Sequence, residues 1–187
     1  MNFKTITGIV VLILFVLSAM MIFQMTGNTI KETMGTKIKL ETNQGDIIIN
    51  LYDDMPITAG NFKKLVSEGF YDNVIFHRIM DNFMIQGGDP QGTGMGGPGY
   101  NIEDEFTHEG GNKNSRGTIS MANSGPNTGG SQFFINLVDN NFLDTKHPAF
   151  GKVIEGMDVV DKIAKVQTGA NDRPVEDVII KKASIVE

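Results

Sequence analysis

Glycine sets the terms for this chain. There are 22 glycines in 187 residues, and they cluster between Gly87 and Gly130. A backbone so rich in residues that tolerate positive φ is built from turns and tight loops, which points to a mainly β domain of short strands. The length holds one full domain and leaves little for a second. Apolar residues make up 40% and charged residues 20%, the balance of an ordinary globular protein. A formal charge of −6 and a pI near 5.0 give no electrostatic footprint for nucleic acid. The absence of cysteine excludes disulfides, thiolate metal sites and a cysteine nucleophile.

Residues 1–5 form a short tail, and residues 6–25 read I-T-G-I-V-V-L-I-L-F-V-L-S-A-M-M-I-F-Q-M without a charge. Roughly twenty helical residues at about 1.5 Å each match a hydrocarbon core ~30 Å thick. A run that is apolar all round has no polar face to turn to water, which disfavours a buried core helix. The alternative is a cleaved signal peptide, with residues 16–18 or 17–19 as a weak small-residue site, but the apolar run continues through Phe23. The expectation is a retained single-pass transmembrane anchor over 6–25, with secretion after cleavage as the alternative. Lysines flank the run on both sides, so charge does not fix its orientation; the very short tail favours an extracytoplasmic domain. Residues 26–36 read as a linker and 37–187 as the folded domain.

Strand period begins at Lys37. Ile38 and Leu40 alternate with charged residues, Asn43-Gln44-Gly45-Asp46 supplies a turn, and 47–51 continues as a strand, together a hairpin signal. The best helix candidate is 56–68, with Asp53 or Asp54 as its cap, Pro56 in its first turn, Phe62, Leu65 and Val66 on one face, and Gly69 as its stop. Further strands are expected at 74–79, 83–86, 118–123, 132–137, 149–154 and 178–185, and a second short helix at 158–165. The glycine-rich loop at 90–100 lacks the Lys-Ser/Thr end of a phosphate-binding loop. Many short strands with two separated helices predict a closed antiparallel barrel with helices over its ends.

Within 74–79, strand period places Phe76 and Arg78 on one face and Ile75, His77 and Ile79 on the other. Within 132–137, Gln132 and Phe134 oppose Phe133, Ile135 and Leu137. Burying an unpaired guanidinium is costly, so Arg78 belongs outside, and an outer face bearing Arg78, Gln132 and Phe134 describes a groove. Taken singly, Phe83, Met84 and Phe134 read as core; their shared neighbourhood with Arg78 favours groove lining. Ser120, Ser124 and Ser131 lie in no G-x-S-x-G elbow. His77, His108 and His147 are not at ligand spacing. A hydrolase or metalloenzyme is therefore disfavoured, and no metal or cofactor is expected. His77 reads as a packing residue, and Glu103-Asp104-Glu105 as a solvated loop.

Three longer stretches are more specific: F-H-R-I-M-D-N-F-M-I-Q-G-G-D (76–89), M-A-N-S-G-P-N-T-G-G-S-Q-F-F-I (121–135) and F-L-D-T-K-H-P-A-F-G (142–151). In this order they resemble the cyclophilins, the peptidyl-prolyl cis/trans isomerases, and the resemblance covers 37–187. It implies a closed eight-stranded antiparallel β-barrel capped by two α-helices, here preceded by one N-terminal transmembrane helix. It also implies that Arg78 is catalytic and that Phe83, Met84, Phe134, Leu143 and His147 form a proline pocket. Gln86, Ala122, Asn123, Ser124 and Gln132 become peptide-gripping positions. Phe142 stands where the family often has a tryptophan that contributes to cyclosporin binding, which calls strong cyclosporin sensitivity into question. Ser124 replaces a frequent alanine, and Thr145 a common glycine.

The implied activity needs no covalent chemistry. Rotation about an X-Pro bond is slow because the amide has partial double-bond character, and its twisted transition state carries a basic nitrogen. A donor that bonds this nitrogen only in the twisted state accelerates exchange. Arg78 brings a fixed, always charged fork to that task. The implied partners are proline-containing polypeptides, with the membrane held through the N-terminal helix and the protein a monomer. Two other readings stay open: a proline-peptide binding or chaperone module at the membrane surface without essential turnover, and an assembly factor for membrane complexes.

Overall fold

The computed structural model describes residues 35–186. The elements run β1 (Lys37–Thr42), β2 (Asp46–Leu51), α1 (Thr58–Ser67), β3 (Val74–Ile75), β4 (Arg78–Met80), β5 (Met84–Gly87), β6 (Thr118–Met121), β7 (Phe133–Asn136), β8 (Ala149–Glu155), α2 (Met157–Ala164) and β9 (Ile179–Val186), with short 3-10 turns at Asn141–Leu143 and Ala170–Asp172. The strands form one antiparallel sheet in the order β3-β9-β1-β2-β8-β6-β7-β5-β4.

The closed eight-stranded barrel expected from the sequence is therefore corrected to an open, nine-stranded half-barrel with two helices. The reason lies in the stretch expected to be one strand at 74–79. Val74 and Ile75 pair with β9, and the Phe76 N–H still donates to the Val178 carbonyl (2.9 Å). The chain then changes partner, and Arg78–Met80 pairs with β5. Both edges of the sheet are thus consecutive pieces of one stretch, and no ladder joins them. The break also overturns the face parity expected there: Phe76 and Ile79 both enter the main core, whereas Arg78 stays half-exposed.

A second correction concerns the membrane. The anchor expected at 6–25, with its tail and most of its linker, lies outside the described residues. Among the described residues no helix is long and apolar enough to cross a membrane. The single-pass, extracytoplasmic placement and the membrane partnership lose their basis and are not retained.

The hairpin at 43–46 forms as the alternation predicts. Ile38, Leu40, Ile47, Ile49 and Leu51 are buried, while Lys39 pairs with Asp46 on the other face (2.9 Å). Helix α1 buries Phe62, Leu65 and Val66, and the Phe62 ring meets those of Tyr71, Phe133 and Phe150 at 4.9, 5.3 and 5.2 Å. Helix α2 turns Val160, Ile163 and Ala164 into the same core. The cap of α1 is neither Asp53 nor Asp54. Glu105, from the run expected to be solvated, is buried, and its carboxylate accepts the Ile57 N–H (3.2 Å) and the Thr58 N–H (2.7 Å). An anion there satisfies two orphan donors and meets the positive end of the helix dipole. Asp54 instead pairs with His108 (2.9 Å) and accepts the Glu109 N–H (2.8 Å).

Candidate active site

Sheet register assembles the site. Arg78 lies opposite Gln86 on β4–β5, and Gln86 lies opposite Phe134 on β5–β7. The three form a row across three strands and, because residues in lateral register share a face, point to the same side of the sheet. Two positions along, Met80 lies opposite Met84. On that side Met84, Phe134 and Leu143 make an apolar cluster separate from the main core, with Met80, Phe83 and Ala122 packed around it. The alternate residues Ile79, Ile85, Phe133 and Ile135 belong to the main core. Met84 and Phe134 are thus buried in a second, smaller cluster on the far side of the sheet, with Phe83 partly buried at its edge.

Arg78 rims that cluster with its side chain 40% exposed. Its Nη2 lies 3.0 Å from Met80 Sδ, and its Nε lies 3.5 Å from Asp172 Oδ2. Asp172 arrives from the 170–172 turn, where Asn171 and Asp172 are both left-handed (φ 60 and 58). Two successive non-glycine residues in that region are costly, since the Cβ crowds the carbonyl. Met80 was detectable at strand spacing from Arg78; Asp172, 94 positions away, left no local signal.

Two amides extend the row. Gln86 Nε2 donates to Gln132 Oε1 (3.0 Å), and Gln132 Nε2 donates to the Gly94 and Gly96 carbonyls (2.9 Å each). Two acceptors around one nitrogen fix the orientation of the Gln132 amide. The ladder between β6 and β7 ends where the Ala122 N–H donates to the Gln132 carbonyl (3.0 Å), and Asn123 then leaves the sheet. The Asn123 side chain donates to the Lys146 carbonyl (2.8 Å), while Ser124 is exposed and its N–H donates to Thr128 Oγ1 (2.8 Å). Between this rim and the glycine-rich loop lies a cleft of about 520 Å³, lined by Gln86, Gln132, Asn123 and Ser124 among others.

Beside the apolar cluster runs a turn held by a network absent from the expected site. Asn114 donates its backbone N–H and its amide to Asp144 Oδ1 (2.7 and 3.2 Å). Asn112 donates to the Asp144 and His147 carbonyls and accepts the Ala149 N–H (2.7 Å). The turn presents Leu143 to the apolar cluster and leaves Phe142 67% exposed, stacked on Phe83 at 6.0 Å. His147 meets Phe134 edge to face at 5.4 Å, and its Nδ1 donates to the Met121 carbonyl (3.0 Å). A carbonyl can only accept, so the proton of this bond lies on Nδ1.

Beneath the glycine-rich loop sit two buried titratable groups. His77 packs against Gly94 with Nδ1 unpartnered among the described residues, and burial lowers its pKa, with Arg173 and Arg78 acting in the same direction and Asp89 against. Burial alone would push the Asp89 carboxyl up, but the N–H donors of Gln91, Gly96, Thr93 and Gly94 outweigh it and bring the group down to about 2. Among the described residues no three His, Asp or Glu side chains form a candidate metal site.

Comparison with known proteins places this geometry. The family model described as cyclophilin type peptidyl-prolyl cis-trans isomerase/CLD matches residues 37–185. A peptidyl-prolyl cis-trans isomerase-like 1 of Gibberella zeae is 51% identical over 158 residues, which cover 82% of this chain and 97% of that protein. Peptidyl-prolyl cis-trans isomerase CYP18-2 of Arabidopsis thaliana is 44% identical, over 81% of this chain and 94% of its own. The crystal structure of a Cryptosporidium parvum cyclophilin type peptidyl-prolyl cis-trans isomerase superposes with a TM-score of 0.77 at 36% identity, covering 82% of this chain and 98% of that one. A second structure of that protein was determined in the presence of the dipeptide Ala-Pro, with a TM-score of 0.76.

Proposed function

The chain belongs to the cyclophilin-type peptidyl-prolyl cis-trans isomerases, and from that premise we propose that Arg78 accelerates rotation about X-Pro bonds by bonding the twisted amide nitrogen. The observation that carries this reading is the row Arg78–Gln86–Phe134 beside the Met84–Phe134–Leu143 cluster. The apolar cluster takes the proline ring, and Phe83, Phe142 and His147 flank it. Gln86, Gln132, Ala122, Asn123 and Ser124 grip the chain on either side of the proline. The guanidinium then faces the bond that rotates. A ground-state amide nitrogen is a poor acceptor, because its lone pair is delocalised into the carbonyl; on twisting it becomes a good one. The new bond therefore forms at the transition state and lowers the barrier there. Met80 and Asp172 keep the fork oriented without occupying all five of its N–H donors.

A charge-assisted hydrogen bond contributes about 1.5–3 kcal/mol, so Arg78→Ala is expected to slow catalysed exchange of a proline tetrapeptide roughly 10- to 150-fold while peptide binding changes little. Isomerisation kinetics beside a calorimetric titration with the same peptide separate the two quantities. Full exchange in Arg78→Ala overturns the mechanism.

A further inference from the structure

Asp89 is fully buried, and backbone and hydroxyl donors, rather than a cation, surround its carboxylate. Oδ1 accepts the Gln91 N–H (2.7 Å). Oδ2 accepts the N–H groups of Thr93 (2.8 Å) and Gly94 (2.6 Å) and the Thr93 hydroxyl (3.1 Å). A Cβ added to Gly96 would lie 2.0 Å from Oδ1, so the loop wraps the carboxylate too closely for a side chain at that point. The same loop offers the Gly94 and Gly96 carbonyls to Gln132, which in turn accepts from Gln86. Directional bonds therefore run from a buried anion, through loop 91–96, to two amides in the groove.

We propose that Asp89 is a positioning residue for peptide binding, shaping loop 91–96 so that its carbonyls lock Gln132, and through it Gln86, in the orientation that grips the substrate backbone. This rests on the reading of Gln86 and Gln132 as gripping positions. An ionised carboxylate has about four acceptor sites, which suits the several donors converging here; an amide in its place offers one oxygen and turns its own N–H groups toward them. The Arg78 contacts, Met80 and Asp172, lie outside the loop. Loosening the loop therefore weakens binding and leaves the chemical step in place.

The test compares the wild-type chain with Asp89→Asn. The expected result is a KM for a proline tetrapeptide raised about tenfold, the Kd from calorimetric titration raised in parallel, and kcat within about twofold of wild type. The Gln132 side-chain amide signals should also lose their hydrogen-bonded shift in nitrogen-15 spectra. Unchanged Kd, with lost exchange protection at the Gln91, Thr93 and Gly94 amides, overturns the proposal, because the loop would then have loosened without consequence in the groove. Should Asp89→Asn not fold, Thr93→Val removes one donor to the carboxylate, together with the acceptor of the Met95 N–H (3.1 Å), and keeps the carboxylate itself; about a threefold rise in Kd is expected, and no rise overturns the proposal. Because Kd needs no turnover, this result is independent of whether Arg78→Ala removes catalysis.

Discussion

The Asp89 carboxylate makes the stability of the domain depend on pH in a way that one substitution exposes. Its pKa stands at about 2 in the folded chain against an ordinary 3.8. A folded value below the unfolded one stabilises the fold above the unfolded pKa, and that contribution disappears as pH falls through the folded pKa. The difference corresponds to about 2.4 kcal/mol, present in full near neutrality and reduced to about 0.8 kcal/mol at about pH 2.5. Asp89→Asn carries no titrating group at this position. Urea unfolding of both proteins should therefore show the wild type more stable by at least about 2 kcal/mol near pH 6, with the gap narrowing by about 1.6 kcal/mol at about pH 2.5. Asp54 and Asp81, also held below the ordinary carboxylate range, are present in both proteins and drop out of the difference. A gap independent of pH would refute the reasoning, because the loop would then depend on the shape of residue 89 and not on its charge.

Two further substitutions probe contacts made across long sequence separations. Glu105→Ala leaves the Ile57 and Thr58 N–H groups without their acceptor and should cost about 2–3 kcal/mol, read as a fall of roughly 6–9 °C in Tm for a domain of this size; a fall within error would show that water replaces the cap. Asp172→Ala removes one of the two groups holding Arg78, but an exposed ion pair is worth about 1 kcal/mol at most, so kcat should drop about fivefold or less; a loss matching Arg78→Ala would give Asp172 a direct part in the reaction.

What was legible from residue order, and what was not, follows from the range of the interactions involved. The hairpin at 43–46 and the apolar stripes of α1 and α2 depend on neighbours a few positions apart, so period and turn chemistry disclose them. Arg78, Gln86, Phe134 and Gln132 are legible as motif residues, but the register that aligns three of them is a property of strand pairing, which periodicity does not report. The partner change at Phe76–His77 escaped for the same reason: alternation assumes one continuous strand, whereas Phe76 still bonds to Val178 while Arg78 already bonds to β5. Glu105 reads locally as one of three adjacent acids, and only the approach of a helix start 47 positions earlier turns it into a cap. Asp89 carries the same ambiguity. In sequence it closes a Gly-Gly-Asp turn; in the fold it is the centre around which loop 91–96 closes and from which the Gln132–Gln86 pair is held. The motif residues proposed to touch a peptide were thus visible in the chain, while most of the groups that hold them in place, Met80 and Asp89 excepted, come from distant segments and become visible only once the sheet has brought those segments together.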